Sequence, residues 1–355
     1  MLHVAERPLH QEFDVAMLDL DGVVYRGREA VPHAAAALEV AREAGMALTF
    51  VTNNASRSPA QVAQRLAGCA VPADPDQVIT SAQAAARMIA LEGGQPIRVL
   101  AVGSAALREA LIAEGLEVVT SAEDVPTVVV QGMSTSLGWR DLAEAVRAIN
   151  AGATHVATNL DATVPTERGT VLANGSMVAA VMHATGRPAA EAGKPAPWIF
   201  HEAARRSGGS RPLVVGDRLS GDIAGARAAG YASLHVLTGV DGPADLLRAG
   251  PTERPRYIGL DLRALNQTHL TPTQGEDGRW RCDTAVASVI QGTVRLHRPG
   301  GEHDLRDGGV LTLDELRAGC AAAWAASDAA GGDTVLDRQI AGLTISDRSA
   351  RPVRH

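Results

Sequence analysis

Aromatic residues are scarce in this chain of 355 residues, at 3% of the sequence, so its core must be built mainly from Ala, Val, Leu and Ile. Cysteine is nearly absent as well. The three cysteines, Cys69, Cys282 and Cys320, are odd in number, scattered along the chain and form no C-x-x-C pair. This spacing argues against a disulfide framework and a zinc site, and it predicts a protein of the reducing cytoplasm.

The sequence also lacks an excess of basic residues and any long apolar run. Its net charge of −7 argues against a nucleic-acid binder, whose affinity comes from Lys and Arg neutralising phosphates. An anionic substrate would then be attracted only locally, by a metal ion or a single lysine. Residues 1–14 show no basic segment followed by an apolar one, and no stretch reaches membrane-spanning length. We therefore expect a soluble, cytoplasmic protein without a nucleic-acid or membrane partner.

The hydrophobic pattern alternates between strands and helices. An apolar run ends at Asp19, the Ala-rich segment Val31–Ala44 is helical in pattern, and Ala47–Val51 is again apolar. A separate α/β block begins at about Ser81, and the first pattern resumes at about Pro197. Such alternation is typical of parallel sheets with helices on their faces. The sequence therefore predicts an α/β fold.

The pattern changes beyond about Asp261. The segment Thr271–Gly278 is polar and rich in turn residues, which predicts a linker. Asp283–Leu296 predicts two strands, and Leu313–Ala326 predicts an amphipathic helix. Residues from Asp328 to the C-terminus are charged and show no clear pattern. We expect a small α+β extension after the α/β part.

Polar residues that can carry phosphoryl-transfer chemistry follow several of the predicted strands. Because the carboxyl ends of parallel strands share one edge of a sheet, residues distant in sequence can meet there. Phosphoryl transfer needs a nucleophile, an acid, hydrogen-bond donors, a cation and carboxylates for Mg²⁺. The four groups that supply this inventory are Asp19 with Asp21, Thr52 with Asn53, Lys194, and Asp217 with Asp222.

Each of these groups also has an ordinary structural interpretation. A lone D-x-D is more often a polar turn, Thr52–Asn54 is a common strand-ending turn, and Asp217 could cap a helix. Lys194 alone would be read as a surface lysine before a proline. The order of the four groups favours chemistry over these separate explanations. A P-loop is excluded, because Pro195 stands where Ser or Thr is required.

Four short motifs in this order resemble those of the haloacid dehalogenase (HAD) superfamily of phosphatases. They are D-L-D-G-V from Asp19, T-N-N from Thr52, G-K-P around Lys194 and G-D-x-x-x-x-D ending at Asp222, and the resemblance covers about residues 14–260. Between Asp21 and Thr52 there is room for only one helix and one strand, whereas the interval from Thr52 to Lys194 can hold a whole inserted domain.

That arrangement resembles the NagD-like subfamily, whose members carry a type-2 cap. Within the subfamily, residues 159–161 (N-L-D), residues 174–180 (N-G-S-M-V-A-A) and the C-terminal extension are most similar to the actinobacterial glycerol-3-phosphate phosphatases. The resemblance implies a Rossmann-like parallel-sheet core with an inserted α/β cap and a small α+β extension. The implied domains are a core in two parts (1–81 and 188–262), a cap (82–187) and the extension (263–355).

By this resemblance Asp19 is the nucleophile that forms an aspartyl-phosphate, and Asp21 is the acid that protonates the leaving alkoxide and then activates water. Mg²⁺, for which Co²⁺ or Mn²⁺ can substitute, is held by the Asp19 carboxylate, the Asp21 carbonyl oxygen and Asp217, with Asp222 positioning waters or neighbouring groups. The subfamily usually has G-D-R-L-D-T-D in this segment. Here Ser220 replaces one carboxylate, which leaves the metal affinity open.

The remaining implied site residues contact the substrate. Thr52 and Asn53 hydrogen-bond the phosphoryl oxygens, and Lys194 neutralises charge during catalysis. Gly22 lets the backbone turn sharply and approach the phosphoryl group. Asn159 and Asp161 are cap residues over the substrate, although a loop turn explains them nearly as well. The implied substrate-binding set is Gly22, Thr52, Asn53, Asn54, Asn159, Asp161 and Lys194.

The expected function is therefore a Mg²⁺-dependent phosphatase of a small phosphomonoester, and glycerol 3-phosphate is the expected substrate. A nucleotide or broad sugar-phosphate phosphatase is an alternative on the same machinery. A non-catalytic sensor of a phosphometabolite is disfavoured, because a pure binder has no need of Asp21. The sequence does not decide between a monomer and a homo-oligomer.

Overall fold

The computed structural model of the chain describes residues 1–91, 93, 97–166, 168–331 and 342–346. It consists of two compact units, which we describe separately. The first unit contains Met1–Leu48 and the segment from Gly209 onward, and the second contains Thr49–Gly208. The domain boundaries predicted from the sequence stay predictions. Part of the C-terminal tail, residues 332–341 and 347–355, lies outside the described residues.

The α-helices vary from 4 to 17 residues in length. In chain order they are α1 (Leu9–Glu12), α2 (Ala34–Glu43), α3 (Pro59–Gly68), α4 (Ser81–Leu91), α5 (Ala105–Ala113), α6 (Trp139–Asn150), α7 (Asn174–Thr185), α8 (Trp198–Ser207), α9 (Ala224–Ala228), α10 (Pro243–Arg248) and α11 (Leu313–Ala329). Short 3₁₀ helices lie at Pro75–Gln77, Ala122–Asp124, Leu262–Asn266 and Leu305–Asp307, and a π-helical turn lies at Leu219–Ile223. Within the described residues, no helix is long and apolar enough to cross a membrane.

The β-strands are mostly short. In chain order they are β1 (Val15–Leu18), β2 (Tyr25–Arg26), β3 (Glu29–Ala30), β4 (Ala47–Thr52), β5 (Val78–Thr80), β6 (Arg98–Val102), β7 (Glu117–Val119), β8 (Val128–Gln131), β9 (Thr154–Ala157), β10 (Thr163–Thr166), β11 (Gly169–Leu172), β12 (Ala190–Glu191), β13 (Pro212–Gly216), β14 (Ala232–Val236), β15 (Tyr257–Gly259), β16 (Thr273–Gln274), β17 (Trp280–Cys282), β18 (Ala285–Ile290), β19 (Thr293–Arg298), β20 (Gly301–Asp304), β21 (Gly309–Leu311) and β22 (Leu343–Ile345).

In the first unit, four parallel strands lie in the order β15-β14-β13-β1. Strands β1, β13 and β14 are buried along their whole length, which explains their continuous apolar sequences. Leu18 lies opposite Val215, and the chain continues past this register into Asp19, whose N–H donates to the Val215 carbonyl oxygen at 2.8 Å. The pairing therefore brings the residues after β1 and after β13 to the same edge of the sheet.

The second unit contains a five-stranded parallel sheet in the order β12-β9-β8-β6-β7. Alternate strand residues lie in two different clusters: Val99 and Val130 in one, Leu100 and Val129 in the other. The first cluster also holds residues of α4 and α5, and the second holds residues of α6 and α7, so the sheet is covered by helices on both faces. Together with the sheet of the first unit, this confirms the predicted α/β fold class.

The C-terminal extension is a five-stranded antiparallel sheet, β16 to β20 in sequential order, packed with α11. Its apolar residues share one cluster with Leu219, Ile223 and Leu246 of the preceding part of the first unit. At its centre Trp324 is almost fully buried, and its indole N–H donates to the Leu246 carbonyl oxygen at 2.8 Å. The predicted α+β character of the extension is confirmed.

Two predictions for this segment were wrong. Thr271–Gly278 is no linker, because Thr273 and Gln274 pair with β17 and the following turn residues close a hairpin. The helix α11 is not amphipathic over its centre, where nine consecutive residues from Leu316 to Trp324 are buried. Small Ala and Gly side chains hide the difference between its faces in the sequence, and α10 and the antiparallel sheet cover it.

Candidate active site

Three carboxylates of the first unit lie close together. Asp19 follows β1, Asp217 follows β13, and Asp222 lies in the π-helical turn; each offers a side-chain oxygen within 4.8 Å of the other two. Asp217 and Asp222 are buried, and Asp19 is partly buried. Ionised carboxylates at this distance repel one another unless a cation lies among them. The geometry, with oxygen ligands only, suits a hard divalent ion such as Mg²⁺.

Asp217 is held by a turn that follows β14. The N–H of Val240 donates to Asp217 Oδ2 at 2.7 Å, and the N–H of Asp241 donates to the Asp217 carbonyl oxygen at 3.1 Å. Two glycines pack directly against the carboxylate. A Cβ atom at Gly239 or at Gly22 would overlap Asp217 Oδ2, and Gly22 also has a φ of +88°, which favours glycine. Gly22 is therefore required by packing and by backbone conformation alike.

Asp222 is fixed by the same kind of contact. The N–H of Arg218 donates to Asp222 Oδ2 at 3.1 Å, and a Cβ atom at Gly216 would overlap the Asp222 carboxyl group. Ser220, the position where the sequence departs from the related motif, is exposed. A side chain at position 220 therefore lies outside the buried part of the acid cluster.

Asp241 is a site residue that the sequence analysis missed. Its Oδ2 accepts the Leu219 N–H at 2.6 Å, so it joins the turn after β14 to the loop that carries Asp217 and Asp222. Burial raises the pKa of Asp241 above its usual range. The Asp241 carbonyl oxygen faces Nε2 of the buried His235 at 3.0 Å, and burial lowers the pKa of His235 to about 4, so the ring is neutral at pH 7. The available signal was a turn with Thr238, Gly239 and Asp241 that follows the buried strand β14.

Asp21 is not part of the acid cluster. It is exposed, and its backbone forms an isolated β-bridge with Tyr25. Beside this bridge, the Gly22 N–H donates to the Tyr25 carbonyl oxygen at 2.7 Å. The Gly22 carbonyl oxygen accepts the Thr238 hydroxyl at 2.6 Å. The loop after β1 is thus tied to the loop after β14, while the Asp21 side chain lies at the surface of the unit.

In the second unit, the turn after β4 is organised by its own side chains. Thr52 is buried, and its Oγ1 accepts the Asn54 N–H at 3.1 Å. Asn54 Oδ1 accepts the N–H groups of Ser56 at 2.9 Å and Arg57 at 3.1 Å. The Asn54 side-chain carbonyl therefore stabilises the loop leading to α3, as Asn side chains commonly do in turns.

Asn53 brings the other predicted residues of this unit together. Its Nδ2 donates to the Lys194 carbonyl oxygen and to Asp161 Oδ2, both at 3.1 Å, and its Oδ1 accepts the Lys194 N–H at 2.8 Å. Its carbonyl oxygen accepts Asn159 Nδ2 at 2.7 Å. Lys194 is 5% exposed, so it is a buried lysine and not a surface lysine. The predicted cap residues thus lie beside the lysine motif.

Glu191 also belongs to this neighbourhood and was missed. Its Oε1 accepts the Leu160 N–H at 2.9 Å, which fixes the loop between Asn159 and Asp161. Burial, together with the nearby Asp161 carboxylate, raises the pKa of Glu191 to about 7. The sequence shows only a glutamate three residues before Lys194, which by itself points to no function.

The sequence matches two family models. Residues 16–117 match the model of haloacid dehalogenase-like hydrolases, and residues 191–265 match that of HAD-hydrolase-like domains. D-glycerol 3-phosphate phosphatase of Mycobacterium tuberculosis is 44% identical over 320 residues, which cover 90% of this chain and 88% of that protein. The 5′-nucleotidase YutF of Bacillus subtilis is 35% identical over 226 residues, covering 63% of this chain and 87% of that protein.

The fold has close counterparts among solved structures. The crystal structure of a glycerol phosphate phosphatase from Mycobacterium tuberculosis in complex with magnesium superposes with a TM-score of 0.80 at 41% identity, covering 98% of this chain and 97% of that one. NagD from Escherichia coli superposes with a TM-score of 0.64 at 29% identity, covering 70% of this chain and 97% of that one. The predicted resemblance and core-plus-cap fold are confirmed: the chain belongs to the haloacid dehalogenase-like hydrolases.

Proposed function

We propose that this protein is a Mg²⁺-dependent phosphatase that hydrolyses a small phosphomonoester, glycerol 3-phosphate, to glycerol and inorganic phosphate. The observation that carries the proposal is the 44% identity to a D-glycerol 3-phosphate phosphatase over 90% of this chain. The cluster of Asp19, Asp217 and Asp222 supports it, because carboxylate oxygens at this spacing suit a divalent cation.

In this proposal Mg²⁺ is bound by the carboxylates of Asp19 and Asp217 and by the Asp21 carbonyl oxygen, with Asp222 beside them. The bound ion supplies positive charge that offsets the repulsion between the Asp19 carboxylate and the phosphoryl oxygens. Co²⁺ or Mn²⁺ can take its place, since both accept oxygen ligands. The Gly22 and Gly239 contacts keep the Asp217 carboxylate in position.

The reaction proceeds in two displacements. Asp19 attacks phosphorus, the bond from phosphorus to the glycerol oxygen breaks, and Asp21 donates its proton to the departing alkoxide. The resulting Asp21 carboxylate then takes a proton from water, and the water oxygen attacks the aspartyl-phosphate, which releases phosphate and restores Asp19. The Thr52 hydroxyl binds a phosphoryl oxygen, and Lys194 balances the charge of the phosphoryl group.

A small polyol phosphate is favoured over a nucleotide by the lack of a stacking surface. The predicted cap contains one aromatic residue, Trp139, which begins α6 and is 79% exposed. A cap that selects nucleotides would be expected to stack the nucleobase against aromatic rings. The 5′-nucleotidase relative keeps the nucleotide alternative open as a second candidate, at lower identity and over less of the chain.

The test compares kcat/KM for glycerol 3-phosphate with that for UMP, GMP and AMP at the same Mg²⁺ concentration, with an EDTA-treated sample as the control. We expect the protein to hydrolyse glycerol 3-phosphate, and we expect this activity to be lost when EDTA removes the Mg²⁺. A nucleotide preferred tenfold or more, about 1.4 kcal/mol in transition-state binding, would replace glycerol 3-phosphate by the nucleotide alternative. Tight binding without phosphate release would instead indicate a sensor.

We further propose a cytoplasmic enzyme that acts on a small molecule and has no nucleic-acid or membrane partner. The net charge of −7 and the three buried free cysteines support this assignment. Cell fractionation checks it: the protein should be recovered with cytoplasmic markers, and recovery with the membrane fraction would contradict it.

A further inference from the structure

The amide group of Asn53 has no donor left for a substrate. A primary amide carries two N–H donors and one carbonyl acceptor. Both donors have partners within the second unit, the Lys194 carbonyl oxygen and Asp161 Oδ2, and the acceptor takes the Lys194 N–H. The expectation that this side chain binds the phosphoryl oxygens therefore conflicts with its hydrogen bonding.

Two of these hydrogen bonds join the Asn53 side chain to the backbone of Lys194. Asn53 binds the N–H and the C=O of Lys194, so it fixes the lysine backbone in position and in orientation. The approach is close, because a Cβ atom at the preceding Gly193 would lie 2.6 Å from Asn53 Oδ1. Only glycine at position 193 leaves room for this contact.

The backbone of Asn53 is held equally firmly. Its carbonyl oxygen accepts the Ser81 hydroxyl and Asn159 Nδ2, both at 2.7 Å. Asn159 Oδ1 in turn accepts the Asp161 N–H at 3.2 Å. Asn53, the loop from Asn159 to Asp161 and Lys194 thus form one hydrogen-bonded network, which we call the Asn53 network.

We infer that Asn53 is a positioning residue, which acts on the phosphoryl group through Lys194 and joins the lysine to the cap loop that carries Asn159 and Asp161. The inference rests on the proposed function, since it concerns the lysine of the phosphatase site. A displaced ammonium group stabilises the transferring phosphoryl group poorly, and a misplacement of about 1 Å can cost on the order of 100-fold in rate.

The test asks whether Asn53 contributes without Lys194. We compare Asn53→Ala in the wild-type background and in a Lys194→Ala background, with p-nitrophenyl phosphate and Mg²⁺. A positioning residue loses most of its effect once the group it positions is gone. We expect a fall in kcat on the order of 100-fold in the first background and less than about threefold in the second.

An equal loss in both backgrounds would overturn the inference, because a direct phosphoryl ligand acts independently of the lysine. The inhibition constant of inorganic phosphate gives a second readout: in the Lys194→Ala background, Asn53→Ala should leave it unchanged, and a large increase would assign direct binding. Asn150→Ala, at an exposed asparagine that ends α6, controls for the substitution itself.

The outcome separates this inference from the proposed function. If the wild-type protein shows no Mg²⁺-dependent phosphate release from any substrate, the proposed function fails. If the wild type is active and the Asn53 effect is the same in both backgrounds, only the positioning role fails. Should Asn53→Ala not fold, as judged by its melting transition, Asn53→Ser replaces it in the same comparison, since serine keeps a small polar side chain that is too short to bond both backbone groups of Lys194.

Discussion

The acid cluster of the first unit and the Asn53 network of the second unit are built in different ways. Asp217 and Asp222 accept backbone N–H groups and pack against glycines, so their positions depend on how the chain turns. In the Asn53 network, side chains hold other residues: one amide fixes both sides of Lys194. The proposed metal site thus depends on backbone geometry, whereas the position of the proposed catalytic lysine depends on side-chain hydrogen bonds.

This difference predicts that substitutions in the two regions impair activity in different ways. Substitutions in the acid cluster should change the dependence of activity on Mg²⁺, because they act on the proposed ligands of the ion. Substitutions in the Asn53 network should lower kcat at all Mg²⁺ concentrations. The following predictions run from the largest expected effect to the smallest.

Replacing Asp19, the proposed nucleophile, should have the largest effect. Asp19→Asn keeps the shape of the side chain, but an amide cannot attack phosphorus, and we expect kcat to fall by at least about 10³-fold. Phosphate release from glycerol 3-phosphate at saturating Mg²⁺ measures it. Near-wild-type activity would move the nucleophile elsewhere and would leave Asp19 as a metal ligand only.

Asp21→Asn should distinguish substrates by their leaving groups. The glycerol alkoxide needs a proton as it departs, whereas p-nitrophenolate is stable without one, so we expect a loss of about 10²- to 10⁴-fold for glycerol 3-phosphate and a smaller loss for p-nitrophenyl phosphate. The ratio of the two kcat values is the measurement. Equal losses on both substrates would contradict the acid role of Asp21.

Gly239→Ala should disturb the acid cluster without removing a ligand. The added Cβ overlaps the Asp217 carboxylate, so we expect the Mg²⁺ concentration for half-maximal activity to rise on the order of 10-fold, with partial recovery at high Mg²⁺. The rise in Tm on adding Mg²⁺ should shrink in parallel. Gly250→Ala is the matched control, since a Cβ atom there meets nothing within 4 Å. An unchanged Mg²⁺ dependence would show that the Asp217 carboxylate can shift without weakening Mg²⁺ binding.

The contrast between the two regions also explains what the sequence could predict. Asp19 and Asp217 were identified because each directly follows a buried apolar strand, and parallel strands end at one edge. The α/β fold followed from the same periodicity. The hairpin at Thr273–Gln274 was missed because this first strand and the turn after it have the polar composition of a linker. The burial of α11 was missed because alanine carries no strong preference for either face.

The roles of Asn53 and Asp241 depend on contacts that no short motif encodes. Asn53 lies 141 positions from Lys194, and the choice between binding the substrate and binding the lysine is made by the folded chain. Asp241 lies in the turn after β14, and its hydrogen bonds to the Leu219 N–H and to the Asp217 carbonyl oxygen connect it to the acid cluster. Sequence patterns predicted which side chains gather, and hydrogen bonding decides which of them remain available to a ligand.

The smallest expected effect tests the Asn53 network through Glu191. Burial raises the pKa of Glu191 to about 7, so its ionised form is disfavoured in the folded state, and this group's contribution to stability is complete below about pH 4.5 and is lost as the pH rises through 7. Glu191→Gln removes the titration and keeps an oxygen to accept the Leu160 N–H. We expect the variant to gain about 2 °C in Tm over the wild type at pH 8.5 and little at pH 4.5, with the same Mg²⁺ dependence at both. If the difference in Tm between the variant and the wild type is the same at pH 4.5 and pH 8.5, Glu191 titrates outside this range. If the variant changes the Mg²⁺ dependence of activity, the Asn53 network and the acid cluster are not independent of each other.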